Sequence, residues 1–174
     1  MAILCSIVLH FATVDRYMHP LYKRFPPSPA CSCSICAYYC RRPGWPLVEE
    51  ARLAIELGMA GRLMLEFAPD FSFGILAPAF KGNEGHCAFT LYSHNGCTFL
   101  CDSGCEIFDA AYRPIECRFC HHNRPDQGLS CHLAVARDWD TSKGRRLVHR
   151  WLSMQNLDYS KLYQIERRYV HIMP

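Results

Sequence analysis

No apolar run in this chain is long enough to span a bilayer, so a transmembrane role is not expected. Phosphate-loop and dinucleotide-binding glycine patterns are missing, and no Ser–His–Asp order stands out. A Cys-x3-Cys-x2-Cys run, which radical-SAM chemistry requires, does not occur either, and 174 residues are few for the partial barrel that supports it. An excess of one charge is lacking too. The 19 Lys and Arg against 16 Asp and Glu leave a net +3, too little to argue for nucleic acid despite a locally basic last third. With no internal repeat and no low-complexity run, the length predicts one domain with a modest core.

What the chain has in abundance is cysteine, 12 residues of it. A disulfide framework, metal ligation and redox thiols are the three available reasons. Disulfide frameworks belong mainly to small secreted domains that cannot build a core. Here half the residues are hydrophobic, so metal ligation is the favoured reading and a secreted disulfide protein the alternative. The cytoplasm, where thiols stay reduced, is the expected compartment. The apolar Met1–Val14 lacks a positive n-region and a clear cleavage site. It reads as a buried strand or helix, or as an upstream extension, and not as a secretory leader.

Five cysteines and two histidines fall in Gly96–His122, interleaved with short apolar runs. Upstream, a Pro-flanked loop carries Cys31, Cys33, Cys36 and Cys40. Thiolate and imidazole suit zinc or iron–sulfur clusters. In Cys33-x2-Cys36 the spacing lets both sulfurs face one ion from a single turn. The downstream group offers Cys97, Cys101, Cys105, Cys117 and Cys120, more than one ion requires. The simplest expectation is that the two groups close on a shared centre.

The coarse element reading supports an α-rich α+β domain with short strands wrapped around a cysteine-ligated metal centre. Residues 1–30 form an N-terminal extension, 31–155 the cysteine-rich metal-binding domain, and 156–174 a C-terminal tail packed on it. Helices are expected at Leu47–Leu57, with Glu49 and Glu50 in the first turn, at Gly61–Phe67, and at Lys143–Met154, capped by Asp140, Thr141 or Ser142. Strands are expected at Asp70–Leu76, Cys87–Tyr92, Cys97–Leu100 and Cys105–Phe108, with Asn95-Gly96 as a turn.

The pattern resembles the bacterial CxxCxxCC zinc- or iron-chelating domain proteins. The matching pieces are Cys33-x2-Cys36-x3-Cys40, Gly96-Cys97-Thr98-Phe99-Leu100, Cys105-Glu106-Ile107-Phe108 and Arg113-Pro114-Ile115-Glu116-Cys117-Arg118. They cover about half the chain, Cys31 to His122. The resemblance implies metal ligation by Cys33, Cys36, Cys40, Cys97, Cys105 and Cys117. The chain departs from the family in having Cys40 alone where an adjacent pair is common, and Cys31 is available to compensate. Some members of the family are fused to, or act as, flagellin lysine methylases, and most have no assigned activity.

Other residues stay open. Cys120-His121-His122 with Cys131-His132 could form a second site or be loop and supporting residues; Cys101 could be a ligand or an inert strand residue. Cys5 and Cys87 read as ordinary buried or loop residues. Arg113 and Arg118 flank Cys117, where they would offset thiolate charge, bind an anionic substrate, or pair with Glu106, Asp109 or Glu116. Arg145 to Arg150 reads as a solvated helix surface. The leading expectation is a metal-binding protein holding zinc or an iron–sulfur cluster. The alternative from another class is a redox or group-transfer enzyme, with a reachable face lined by Arg118, His121 and His122. No protein partner is indicated.

Overall fold

The computed structural model describes residues 19–158. The readings of Met1–Val14 and of most of the C-terminal tail therefore lie outside the described residues.

At the centre is a hairpin of strands β1 (Leu63–Phe67) and β2 (Gly74–Pro78), antiparallel, with Leu65 opposite Leu76. All of β2 and the first three residues of β1 are buried. A strand covered on both faces shows a continuous apolar run and no alternation. For that reason Leu63, Met64 and Phe67, which fit a helical spacing over Gly61–Phe67, instead form a strand behind a short 3-10 turn at Ala60–Arg62. The strand expected at Asp70–Leu76 starts later. Phe71 has a φ of 58° and Asp70 accepts from the Ser72 amide at 3.1 Å, so a tight turn occupies that stretch.

Three longer helices cover the hairpin. Helix α3 (Val48–Glu56) packs on α6 (Ser142–Met154), α6 lies on β2, and α5 (Gly128–Trp139) packs on α6. The apolar face of α6, Leu147, Val148, Trp151 and Leu152, is buried, and its N-terminus is closed by the Thr141 side chain accepting from the Gly144 amide. The two fully buried tryptophans satisfy their indole N–H groups on backbone carbonyls. Trp139 donates to Pro46 O at 2.7 Å and Trp151 to Ala60 O at 2.8 Å.

Helix α6 approaches α5 closely at Gly144, where a Cβ would sit 2.3 Å from Trp139 O. Ala is ordinarily the better helix former by roughly 1 kcal/mol. Here the clash is with backbone, which cannot swing aside, so Gly144→Ala is expected to destabilise by about 1–3 kcal/mol. A lower urea midpoint measures it; an unchanged or higher midpoint contradicts it.

The remaining elements are short and carry the cysteines. They are α1 (Pro20–Arg24), α2 (Ser34–Tyr39), the β3–β4 hairpin (Leu100–Cys101 and Gly104–Cys105) and α4 (Ile115–Phe119). The expected strand at Cys87–Tyr92 reduces to a single bridge between Leu65 and Cys87, followed by a 3-10 turn at Thr90–Tyr92. Cys97, Phe99 and Ile107 form a small second core beneath the β3–β4 hairpin. The α+β class therefore holds: helices dominate, and the strands form two antiparallel pairs.

Candidate metal centre

The chain entering α2 is laid along the end of α4. Ser28 N donates to Arg118 O and Ser28 Oγ to Phe119 O, both at 2.8 Å, and Arg124 reaches Pro26 O at 2.8 Å. Prolines at 26, 27 and 29 keep this run extended, so it serves as a rigid lead to the cysteines behind it. Cys33 then caps the N-terminus of α2, Cys36 lies one turn in, and Cys40 ends the helix.

At that end of α2 the sulfurs of Cys31, Cys33 and Cys36 each lie 3.5 Å from His122 Nδ1. All four donor atoms fall within 4.8 Å of one another. With bonds of about 2.3 Å to sulfur and about 2.0 Å to nitrogen, a tetrahedral zinc sets S and N about 3.5 Å apart. The observed spacing matches one ion. A four-iron cluster would place each thiolate on a different iron and hold the ligands wider than this group allows.

Local hydrogen bonds prepare the site for thiolate. The Cys36 amide facing the Cys33 sulfur holds that thiol below its ordinary range. Burial pushes Cys36 the other way, to about 11, while the His122 amide donates to its sulfur at 3.4 Å. His121 is 5% exposed and stacks on the His122 ring at 4.1 Å, and its Nδ1 accepts from the Asn123 amide at 3.2 Å. It orients the ligand ring and offers no open face.

The six cysteines expected to share a centre are divided by the structure. Cys33 and Cys36 join Cys31 and His122. Cys40, Cys97, Cys105 and Cys117 line a different cavity. Cys31 and His122, left open by sequence reasoning, belong to the compact group; their signal was nearness to Cys33 and Cys120 in sequence. Cys101 lies on the exposed hairpin turn, with its sulfur against Ser103 Oγ and Gly104 O. Cys87 and Cys131 are buried in the main core. None of the eleven described cysteines is joined in a disulfide; Cys5 lies outside the described residues.

The surrounding charges have other employment than substrate binding. Arg118 donates to Arg113 O, Ala110 O and Ala111 O and stands 3.7 Å from Glu50. Glu106 pairs with Arg62 at 2.6 Å, and Glu116 with His132 at 2.8 Å. The Glu116 contact holds His132 above the ordinary imidazole range, and its ring packs on Trp45 at 3.9 Å. His132 is thereby drawn into this ion pair, apart from the cysteine group.

Comparison with family models, with curated proteins and with solved structures gives no match for this chain. The class of protein is therefore defined by the site itself: an α+β chain with a three-cysteine, one-histidine group able to hold a metal ion. Among the described residues, no helix is long and apolar enough to cross a membrane.

Proposed function

We propose that this is a zinc protein in which Cys31, Cys33, Cys36 and His122 hold one ion as an integral part of the fold, in the reducing cytoplasm. The observation that carries the reading is the spacing of the four donors, each sulfur 3.5 Å from one ring nitrogen. Four protein donors complete a tetrahedron, and structural zinc sites are closed in this way, whereas catalytic ones keep a position for water. With His121 buried and Arg118 bound to carbonyls, the arrangement favours a structural ion over the redox or group-transfer alternative. Membership of the CxxCxxCC chelating family is part of the same proposal, supported by the order of the cysteine elements.

The ion's task is to tie the α2 segment to the end of α4. Both elements are too short to persist alone, since isolated helices need about 12–15 residues even for favourable sequences. Protein purified under reducing conditions is expected to contain zinc, and His122→Ala or Cys33→Ser to lose one equivalent. Cobalt substitution should give the intense visible bands of a tetrahedral thiolate site in the wild type. Zinc-free protein that also fails to take up cobalt would refute the reading. A brown, iron-containing protein would replace zinc with a cluster and force a different ligand set.

A further inference from the structure

We propose that Cys40, Cys97, Cys105 and Cys117 form a second metal site, separate from the first, taking zinc or a single ferrous ion through four thiolates. These residues line one cavity of about 30 Å³. They reach it from four stretches of chain: the end of α2, the loop before β3, strand β4 and helix α4. On the same measure, a single water needs roughly 10–15 Å³. The space is therefore ample for one ion, and the ligand type selects zinc or iron.

The rest of the lining explains why the sulfurs are there. Pro43, Pro78, Leu100 and Ile107 contribute apolar wall, and Arg42 and Arg113 are the charged side chains. A buried thiol gains little in such a place as a core residue, and four of them together have no packing rationale. Four thiolates with a divalent ion carry two net negative charges, which two guanidinium groups would balance. Arg113 is anchored by donation to Phe108 O at 3.1 Å and Cys117 O at 2.7 Å. Its Nε is buried without a hydrogen-bond partner, on a side chain that acts on both Cys105 and Cys117. A thiolate is the acceptor this donor lacks.

The backbone repeats one local design twice. The amide two residues on, Phe99 for Cys97 and Ile107 for Cys105, acts on each sulfur in the direction that favours thiolate. Cys117 receives the same help from the Gly44 amide. A Cβ at Gly44 would come 2.8 Å from the Cys117 sulfur, so only glycine allows this approach. Turns that aim amides at a cysteine sulfur stabilise a metal-bound thiolate, and buried neutral thiols do not need them. The four sulfurs stand around the cavity more widely than the first group's donors, which alone among the described residues meet within 4.8 Å. Binding an ion would draw them inward.

The test is metal stoichiometry of the full chain, reduced, stripped and titrated anaerobically with cobalt(II). The wild type is expected to take up two equivalents. The double variant Cys97→Ser/Cys105→Ser should retain one, with the spectrum of a three-sulfur, one-nitrogen site. Cys33→Ser/His122→Ala should also retain one, now with stronger sulfur-to-cobalt absorption from four thiolates. Saturation of the wild type at one equivalent, or two equivalents in the Cys97/Cys105 variant, overturns the proposal. Should that variant not fold, alkylation of the zinc-loaded wild type decides. Protection of Cys40, Cys97, Cys105 and Cys117 at two equivalents supports the site, and their modification there refutes it. The first site is read separately, because only the His122 variant reports on it.

Discussion

Stripping the metal with a strong chelator under reducing conditions is expected to lower the melting temperature by at least about 10 °C, and to release Cys31–Cys40 from the rest of the fold first. Cys36 and His122 are separated by 86 residues, and bringing such distant segments together costs loop-closure entropy that local contacts must offset. Those contacts are few. Helix α2 has six residues, of which Cys36 alone is buried, and Ile35 and Tyr38 are 52% and 69% exposed. Structural zinc contributes on the order of 10 kcal/mol in small domains. For a domain of this size each kcal/mol moves the midpoint by about 2–4 °C, so even half that contribution exceeds the stated shift.

The loss should not be uniform. The hairpin β1–β2 and helices α3, α5 and α6 keep a common core with Trp139, Trp151, Leu65 and Leu76 fully buried. Hydrogen exchange of the stripped protein should thus lose protection at Ala37 and Cys40, whose amides bond to Cys33 O and Cys36 O, before it loses protection in β2. Identical melting and exchange after verified metal removal would show that the ion plays no part in holding the fold.

How far the sequence anticipates this arrangement depends on whether the determining contacts are local. Helix α6 is legible because an apolar face and a capping Thr141 fall in one stretch, and α3 because Pro46 and Glu49–Glu50 mark its start. Helix α5 is missed although Cys131, Ala134, Val135 and Trp139 carry the helical period. The small, polar letters between them hide it. Strand β1 is misread because three consecutive buried residues satisfy either period, and only the partner strand decides.

At the metal centre, Cys33-x2-Cys36 is legible for the same local reason: one turn aims both sulfurs. The division of the cysteines is not. Cys36 and Cys40 sit on one six-residue helix yet serve different surroundings, the first beside His122 and the second beside Cys97 and Cys105. Which side of α2 meets which distant segment is set by the Pro26–Ser28 run lying on Phe119, a tertiary contact with no signature in spacing. Glu50 is another such case. Its place in the first turn of α3 suggests a solvated dipole partner, and the fold turns it inward.

Replacing Glu50 by alanine is expected to destabilise the protein by about 3–5 kcal/mol, the second large effect. The side chain is 2% exposed and gathers three donors: Tyr22 Oη at 2.7 Å, the Leu47 amide at 2.9 Å and the Ile115 amide at 2.8 Å. It therefore fastens the starts of α3 and α4 to one another and to α1. Alanine would leave two buried amides without acceptors, each costing about 1–3 kcal/mol, and would remove the carboxylate near the buried Arg118. Glu50→Gln keeps a carbonyl oxygen for the amides and should cost much less. The pair also differs in pH dependence. Burial pushes Glu50 from an ordinary 4.5 up to about 7, so in this window the folded chain holds a proton that the unfolded chain releases. The folded state then binds more protons, and stability falls as pH rises from about 4.5 through 7, by up to about 3 kcal/mol. Protons competing for the zinc thiolates act in the opposite sense, but equally in wild type and Glu50→Gln. Urea unfolding of both zinc-loaded proteins at several pH values isolates the Glu50 part: Glu50→Gln should gain on the wild type as pH rises from 4.5 to 7. A difference that is flat across that range, or an alanine variant as stable as wild type, would show that this carboxyl is not the anchor its contacts describe.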